Sequence, residues 1–80
     1  MNIRDAVRQR ILSLCEANGM TINKLALEAG LTQSTLNSII NTGSNNPTLV
    51  TVAKICVGLG ITVREFFDDS LFDYIEQGVE

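Results

Sequence analysis

The side chains able to do chemistry in this 80-residue chain are suited to hydrogen bonding rather than catalysis. There is no histidine, no glycine-rich phosphate loop, and the carboxylates gather in a terminal stretch instead of a pocket, so an enzyme is not expected. Asp68, Asp69 and Asp73 invite a cation reading. Calcium loops, however, space their ligands around a tight glycine turn that is absent here, and solvated acids near a helix start account for the three better. Cys15 and Cys56 are too few soft ligands for a metal site. Both fall at apolar helical positions and read as small buried hydrophobes. A disulfide is not expected in a reducing compartment. No pattern calls for a cofactor or a small-molecule effector.

What remains is the stretch 33–41. Leu36, Ile39 and Ile40 recur at i, i+3 and i+4 and mark the buried side of a helix. The other side is Gln33, Ser34, Asn37, Ser38 and Asn41. An exposed face has no folding reason to choose Ser and Asn over Lys and Glu, which are better helix formers. Gln and Asn present a donor and an acceptor together, which matches the N6 and N7 edge of adenine in a major groove; Ser can bond any base edge or a phosphate. An ordinary polar solvent face is the competing reading.

Such side chains need a rigid frame. Thr21 and Thr32 are suited to cap helices at 22–29 and 33–41, and Gly30 stands where the first must stop and the chain bend. Ala26 is small enough for a close helix crossing. A small residue, a glycine four later, then apolar residues six and nine after the glycine (Leu36 and Ile39) is the spacing of a helix-turn-helix.

Upstream, Ile3, Val7, Ile11, Leu14 and Cys15 form one stripe on a helix over 2–18, with Asn2 as its cap and Asn18-Gly19 as its end. Arg4 and Arg8 lie off the stripe, either on a solvated face or against phosphate. Downstream, Asn41-Thr-Gly-Ser-Asn-Asn46 reads as a polar loop with Gly43 at positive φ. Pro47 suits the first turn of a fourth helix. The wide apolar face of Leu49, Val52, Ala53, Ile55, Cys56 and Leu59 predicts a central place for it, with Gly58 and Gly60 as its end. Thr62 to Glu65 is a capping box opening a fifth helix anchored by Phe66 and Phe67. Ser70 can cap a short sixth helix whose Leu71, Phe72 and Ile75 either fold back or meet a second chain. Pairing is favoured, because monomers rarely expose three such residues together.

Val7 to Phe67 resembles the phage-repressor and Cro type of helix-turn-helix, also called the xenobiotic-response-element family. The matching residues run in order: Val7, Ile11 and Leu14; Gly19-Met20-Thr21; Leu25-Ala26; Ala29 to Leu36; Ile39; Gly43; Asn46 to Leu49; Val52; Lys54-Ile55; Leu59 to Ile61; Phe66-Phe67. The resemblance implies an all-α, compact five-helix DNA-binding bundle over 1–69, followed by a short acidic segment, 70–80. It implies base reading by Gln33, Ser34, Asn37 and Ser38, with Gln33 foremost. Backbone contacts would come from Thr21, Asn23, Lys24, Thr32, Thr35, Asn41, Thr42, Ser44 and Asn46, and from Arg10, which matches a common basic position. Many relatives carry Gln where this chain has Ile22, so a phosphate contact and an orienting partner for Gln33 are absent.

The formal charge is −3, whereas DNA binders are usually basic. Arg4, Arg8, Arg10, Lys24 and Lys54 against Asp5, Glu16 and Glu28 give +2 over residues 1–60. Arg64 against Glu65, Asp68, Asp69, Asp73, Glu76 and Glu80 gives −5 over the rest. Weak, salt-sensitive binding by one chain is therefore expected. Double-stranded DNA and a second copy of the chain are the expected partners, for a transcriptional repressor in the cytoplasm. The alternative is a DNA-weak module that acts on a protein partner through its acidic end. No run of about 18 apolar residues suggests a membrane span.

Overall fold

A computed structural model describes residues 1–42 and 46–76, apart from the side chain of Thr42. Five helices follow from local signals. They are α1 (Ile3–Ala17), α2 (Ile22–Ala29), α3 (Gln33–Asn37), α4 (Leu49–Leu59) and α5 (Val63–Phe67). Each starts on a side-chain acceptor that takes a first-turn backbone N–H. Asn2 accepts from Asp5 at 2.8 Å, Thr21 from Lys24 at 3.1 Å, Thr32 from Thr35 at 3.0 Å and Thr62 from Glu65 at 3.0 Å. The Glu65 carboxylate returns a bond to the Thr62 N–H at 2.8 Å, which completes the capping box. Each cap contributes about 1 kcal/mol.

The start of α4 differs from expectation. Thr48 is its cap and accepts from the Thr51 N–H at 3.1 Å, so Pro47 stands before the helix instead of in its first turn. A proline offers no side-chain acceptor; the threonine beside it does. Gly30 and Gly60 end α2 and α4 in the left-handed region, at φ 71° and 73°.

Helix three also differs. It is α-helical only to Asn37 and then widens into a π turn, Ser38–Thr42. Leu36, Ile39 and Ile40 are still buried, so the apolar pattern was right while the winding was not.

The core is built of Phe66, Ile11, Leu25, Leu36, Ile39 and Ile55, all fully buried. The α2–α4 pair is the most extensive packing. Its close point is Gly58, inside α4 and not at its end. A Cβ added there would stand 3.0 Å from the Ala29 backbone nitrogen and 3.0 Å from Leu25 Cδ1. The outward side of α4 is not central. Leu49, Val50 and Val57 are 76%, 66% and 75% exposed, so the helix is apolar on a face the bundle does not cover.

The terminal stretch folds back. Phe72 packs edge-on to Phe67 at 4.8 Å and tilted against Phe66 at 6.2 Å. Phe72 is thus drawn onto its own bundle, against the expectation that it faces a second chain. The turn there is a short 3-10 segment, Ser70–Phe72, capped by Asp69 instead of Ser70. The Met1 ammonium meets the Glu76 carboxylate at 3.1 Å, and the Glu76 N–H donates to the Met1 carbonyl at 3.2 Å.

Arg10 explains why this end stays down. Its Nε donates to the Phe66 carbonyl at 2.7 Å, Nη2 to the Glu65 carbonyl at 2.8 Å and Nη1 to the Asp69 carboxylate at 3.1 Å. A five-residue helix leaves its last carbonyls without intrahelical donors, and the guanidinium fork satisfies two of them. Three of the five guanidinium N–H donors of Arg10 are thus used within the bundle, and the phosphate contact expected of it would have to draw on the other two.

Gly58→Val is expected to destabilise the bundle by about 1–3 kcal/mol through overpacking against α2, read as a lower urea midpoint. Arg10→Met is expected to lose about 2–3 kcal/mol by orphaning the end of α5. A midpoint equal to wild type would show the clamp to be idle.

Candidate nucleic-acid interface

Thr21 and Gly30 fix the two ends of α2, and Thr32 starts α3 two residues past the glycine. The Thr32 hydroxyl also donates to the Thr35 hydroxyl at 2.8 Å. Thr32 and Thr35, two of the threonines expected at a DNA backbone, are thus engaged in starting the helix. Thr21 is used in the same way on α2.

Of the four expected base readers, Gln33 and Ser34 stand exposed on the first turn of α3. Neither side chain forms a hydrogen bond among the described residues. Asn37 is half-buried and holds a partner: its Oδ1 accepts from Asn41 Nδ2 at 3.2 Å. That bond orients both amides, leaving an Asn37 amide donor and the Asn41 carbonyl oxygen unengaged by it. Ser38 is half-buried, and its hydroxyl donates to the Ser34 carbonyl at 3.0 Å, so it can offer only acceptor capacity outward. The four form a graded row, free at the helix start and tethered beyond it.

On α2, Asn23 is exposed and without a hydrogen bond among the described residues. Lys24 pairs with Glu28 at 3.1 Å across one turn. Such a half-exposed pair is worth a few tenths of a kcal/mol, so a phosphate can draw the ammonium away. Ile22 is half-buried against the core, which is what this residue does in place of a polar one. Asn41 and Asn46 are exposed. Thr42 closes the π turn through its backbone, and Ser44 and Gly43 lie outside the described residues.

The cations of α1 turn inward. Arg8 Nη1 donates to the Ile40 carbonyl in the π turn at 3.4 Å, and Arg4 Nη1 donates to Asn46 Oδ1 at 3.5 Å. Sequence reasoning placed both arginines either in solvent or on phosphate; instead Arg8 braces the far end of helix three and Arg4 meets the stretch before α4. The missed signal is their spacing of four residues, which stacks them on one flank of α1. Ile3, Arg4, Val7, Asn46 and Pro47 line a cleft there of about 250 Å³, mostly apolar. Among the described residues no group of three His, Cys, Asp or Glu could hold a metal ion. No helix of the described chain is long and apolar enough to cross a membrane. Burial pushes the Cys15 and Cys56 thiols up from their ordinary range, as for small core residues.

A row of neutral amides and hydroxyls, exposed at its start, thus stands on the second helix of a tight helix-turn-helix. The Cro/C1-type HTH DNA-binding domain matches residues 10–70. The structure of prophage Lp1 protein 11 is similar, with 36% identity and a TM-score of 0.80 over 94% of this chain and 100% of that one. No curated protein matches the chain. The five capped helices, the Gly30 bend and the polar outer face of helix three are therefore those of a family member, and this chain belongs to the Cro/C1-type helix-turn-helix DNA-binding family.

Proposed function

We propose that the domain is a sequence-specific transcriptional regulator, a repressor of the phage or prophage kind, that reads the major groove with residues 33–41. The observation that carries this is the pair Gln33 and Ser34, exposed and without partners at the helix start. Gln33 offers a bidentate match to adenine, and Asn37 adds a second amide held by Asn41. Ser38 contributes as an acceptor. Thr21, Asn23, Lys24, Thr32 and Thr35 would meet the backbone from the helix starts, and Asn41, Thr42, Ser44 and Asn46 from the far side. Repression would come from occupying the site of the polymerase. Similarity to a prophage protein supports that setting.

One copy has little electrostatic hold, because Arg8 and Arg10 are engaged inside the bundle. A pair of copies, set to read half-sites about 34 Å apart, supplies the missing affinity. The outward face of α4 suits a second copy. Leu49, Val50 and Val57 expose on the order of 300–400 Å² of apolar side chain, the size of a contact patch, against ~800 Å² per partner in a standard interface.

A second reading has its own support. The same inward arginines and Ile22 suit a module whose DNA affinity has faded and whose acidic end binds a protein partner.

Selection from a random duplex pool, at low and then physiological salt, separates the two. The first reading expects a two-fold symmetric motif that survives the higher salt; enrichment of no sequence at either salt supports the second. Gln33→Ala is expected to cost about 1–3 kcal/mol and to relax preference at one base pair, and unaltered binding would remove helix three from the reading role. Val57→Glu is expected to turn a sedimenting dimer into a folded monomer. A dimer that persists would place the contact elsewhere.

A further inference from the structure

α1 lies outside the helix-turn-helix, yet it reaches the end of helix three. Arg8 is half-buried on α1, and its guanidinium donates to the carbonyl of Ile40, thirty-two residues along the chain. Ile40 sits in the middle of the π turn. A π turn is rare and strained relative to α-helix, and such turns gather at functional sites. The carbonyls of a last turn lack intrahelical donors, and a buried carbonyl left without one is costly. Ile39 and Ile40 are both buried, which anchors the turn from the core side, and Arg8 holds it from the flank. The turn also carries Asn41, whose amide fixes that of Asn37. Gln33 and Ser34, a turn earlier, rest on the Thr32 cap and do not depend on Arg8.

Resting on the DNA-reading proposal above, we propose that Arg8 is a positioning residue for recognition. It makes no contact with DNA and sets where the Asn37–Asn41 pair stands relative to Gln33. The reading row then has two independently held halves: a front half set by the Thr32 cap, and a rear half set by α1 through one guanidinium. Base preference at the rear half is tunable from a residue that touches no base.

The tests are Arg8→Met and Arg8→Lys in the full chain, against the duplex selected for wild type. Arg8→Met is expected to weaken binding about tenfold. It should flatten preference only at base pairs that Asn37→Ala also affects, and leave intact those that Gln33→Ala affects. The dependence of affinity on salt should stay at the wild-type slope, since no phosphate contact is lost. Arg8→Lys, which keeps a donor, should recover part of the preference. A slope lowered by about one would make Arg8 a phosphate ligand and overturn the proposal, as would an unchanged base profile.

The free protein gives an independent reading. The side-chain amide NMR signals of Asn37 and Asn41 should move in both variants while those of Gln33 stay. Unmoved Asn signals overturn the proposal. This readout needs no DNA, so a wild-type chain that enriches no sequence would overturn the function proposed above and leave the positioning by Arg8 to be judged on the amide signals.

Discussion

Everything in this domain depends on how closely α2 can approach α4. α2 is eight residues long, too short to be stable by its own hydrogen bonds, so it exists because it is packed. Gly58 removes a side chain that would hold the two backbones apart, and Leu25 and Ala29 close onto the surface it opens. Once α2 is fixed, Gly30 and Thr32 leave the next helix little choice of direction. The polar outer face of helix three is thus positioned by a crossing between two other helices.

The second constraint is charge placement. A domain with few cations would be expected to aim them at phosphate. Here Arg10 closes α5 and grips Asp69, and Arg8 braces the π turn. The start of the chain is tied to its last described residue by the Met1 and Glu76 pair. Arg10 acts as a multi-donor strut between elements far apart in sequence, a use that its planar fork allows and that lysine would serve poorly. The outer surface of helix three is correspondingly neutral, a row of amides and hydroxyls without a charge.

Much of this was legible in the sequence because it is local. A hydroxyl three residues ahead of the N–H it receives, a glycine where φ must turn positive, and apolar residues at three and four are short-range statements. Four of the five caps, the Gly30 bend, the core anchors and the family itself followed from them. What could not be read was non-local. Nothing around Gly58 tells a terminator from a residue on which another helix lands, and Thr48 was masked by the more conspicuous Pro47. The partners of Arg8 and Arg10 lie 32 and about 56 residues away. The π turn keeps an α-like apolar pattern, so its extra width leaves no trace in the spacing. The outward Leu49 was counted with the core because apolar residues on both sides of a helix look alike until its neighbours are known.

The two thiols have a further use. Cys15 lies on α1 and Cys56 on α4, both buried, unpaired and set on different layers of the same core. A thiol shielded in this way reacts with an alkylating reagent only while its surroundings are open. The chain therefore carries a pair of clocks, one on α1 and one on α4. If both are labelled at one rate, the domain opens as a single cooperative unit. If Cys15 runs ahead of Cys56, α1 lifts away while α2 and α4 remain joined, and the arm that braces helix three is the looser part of the molecule.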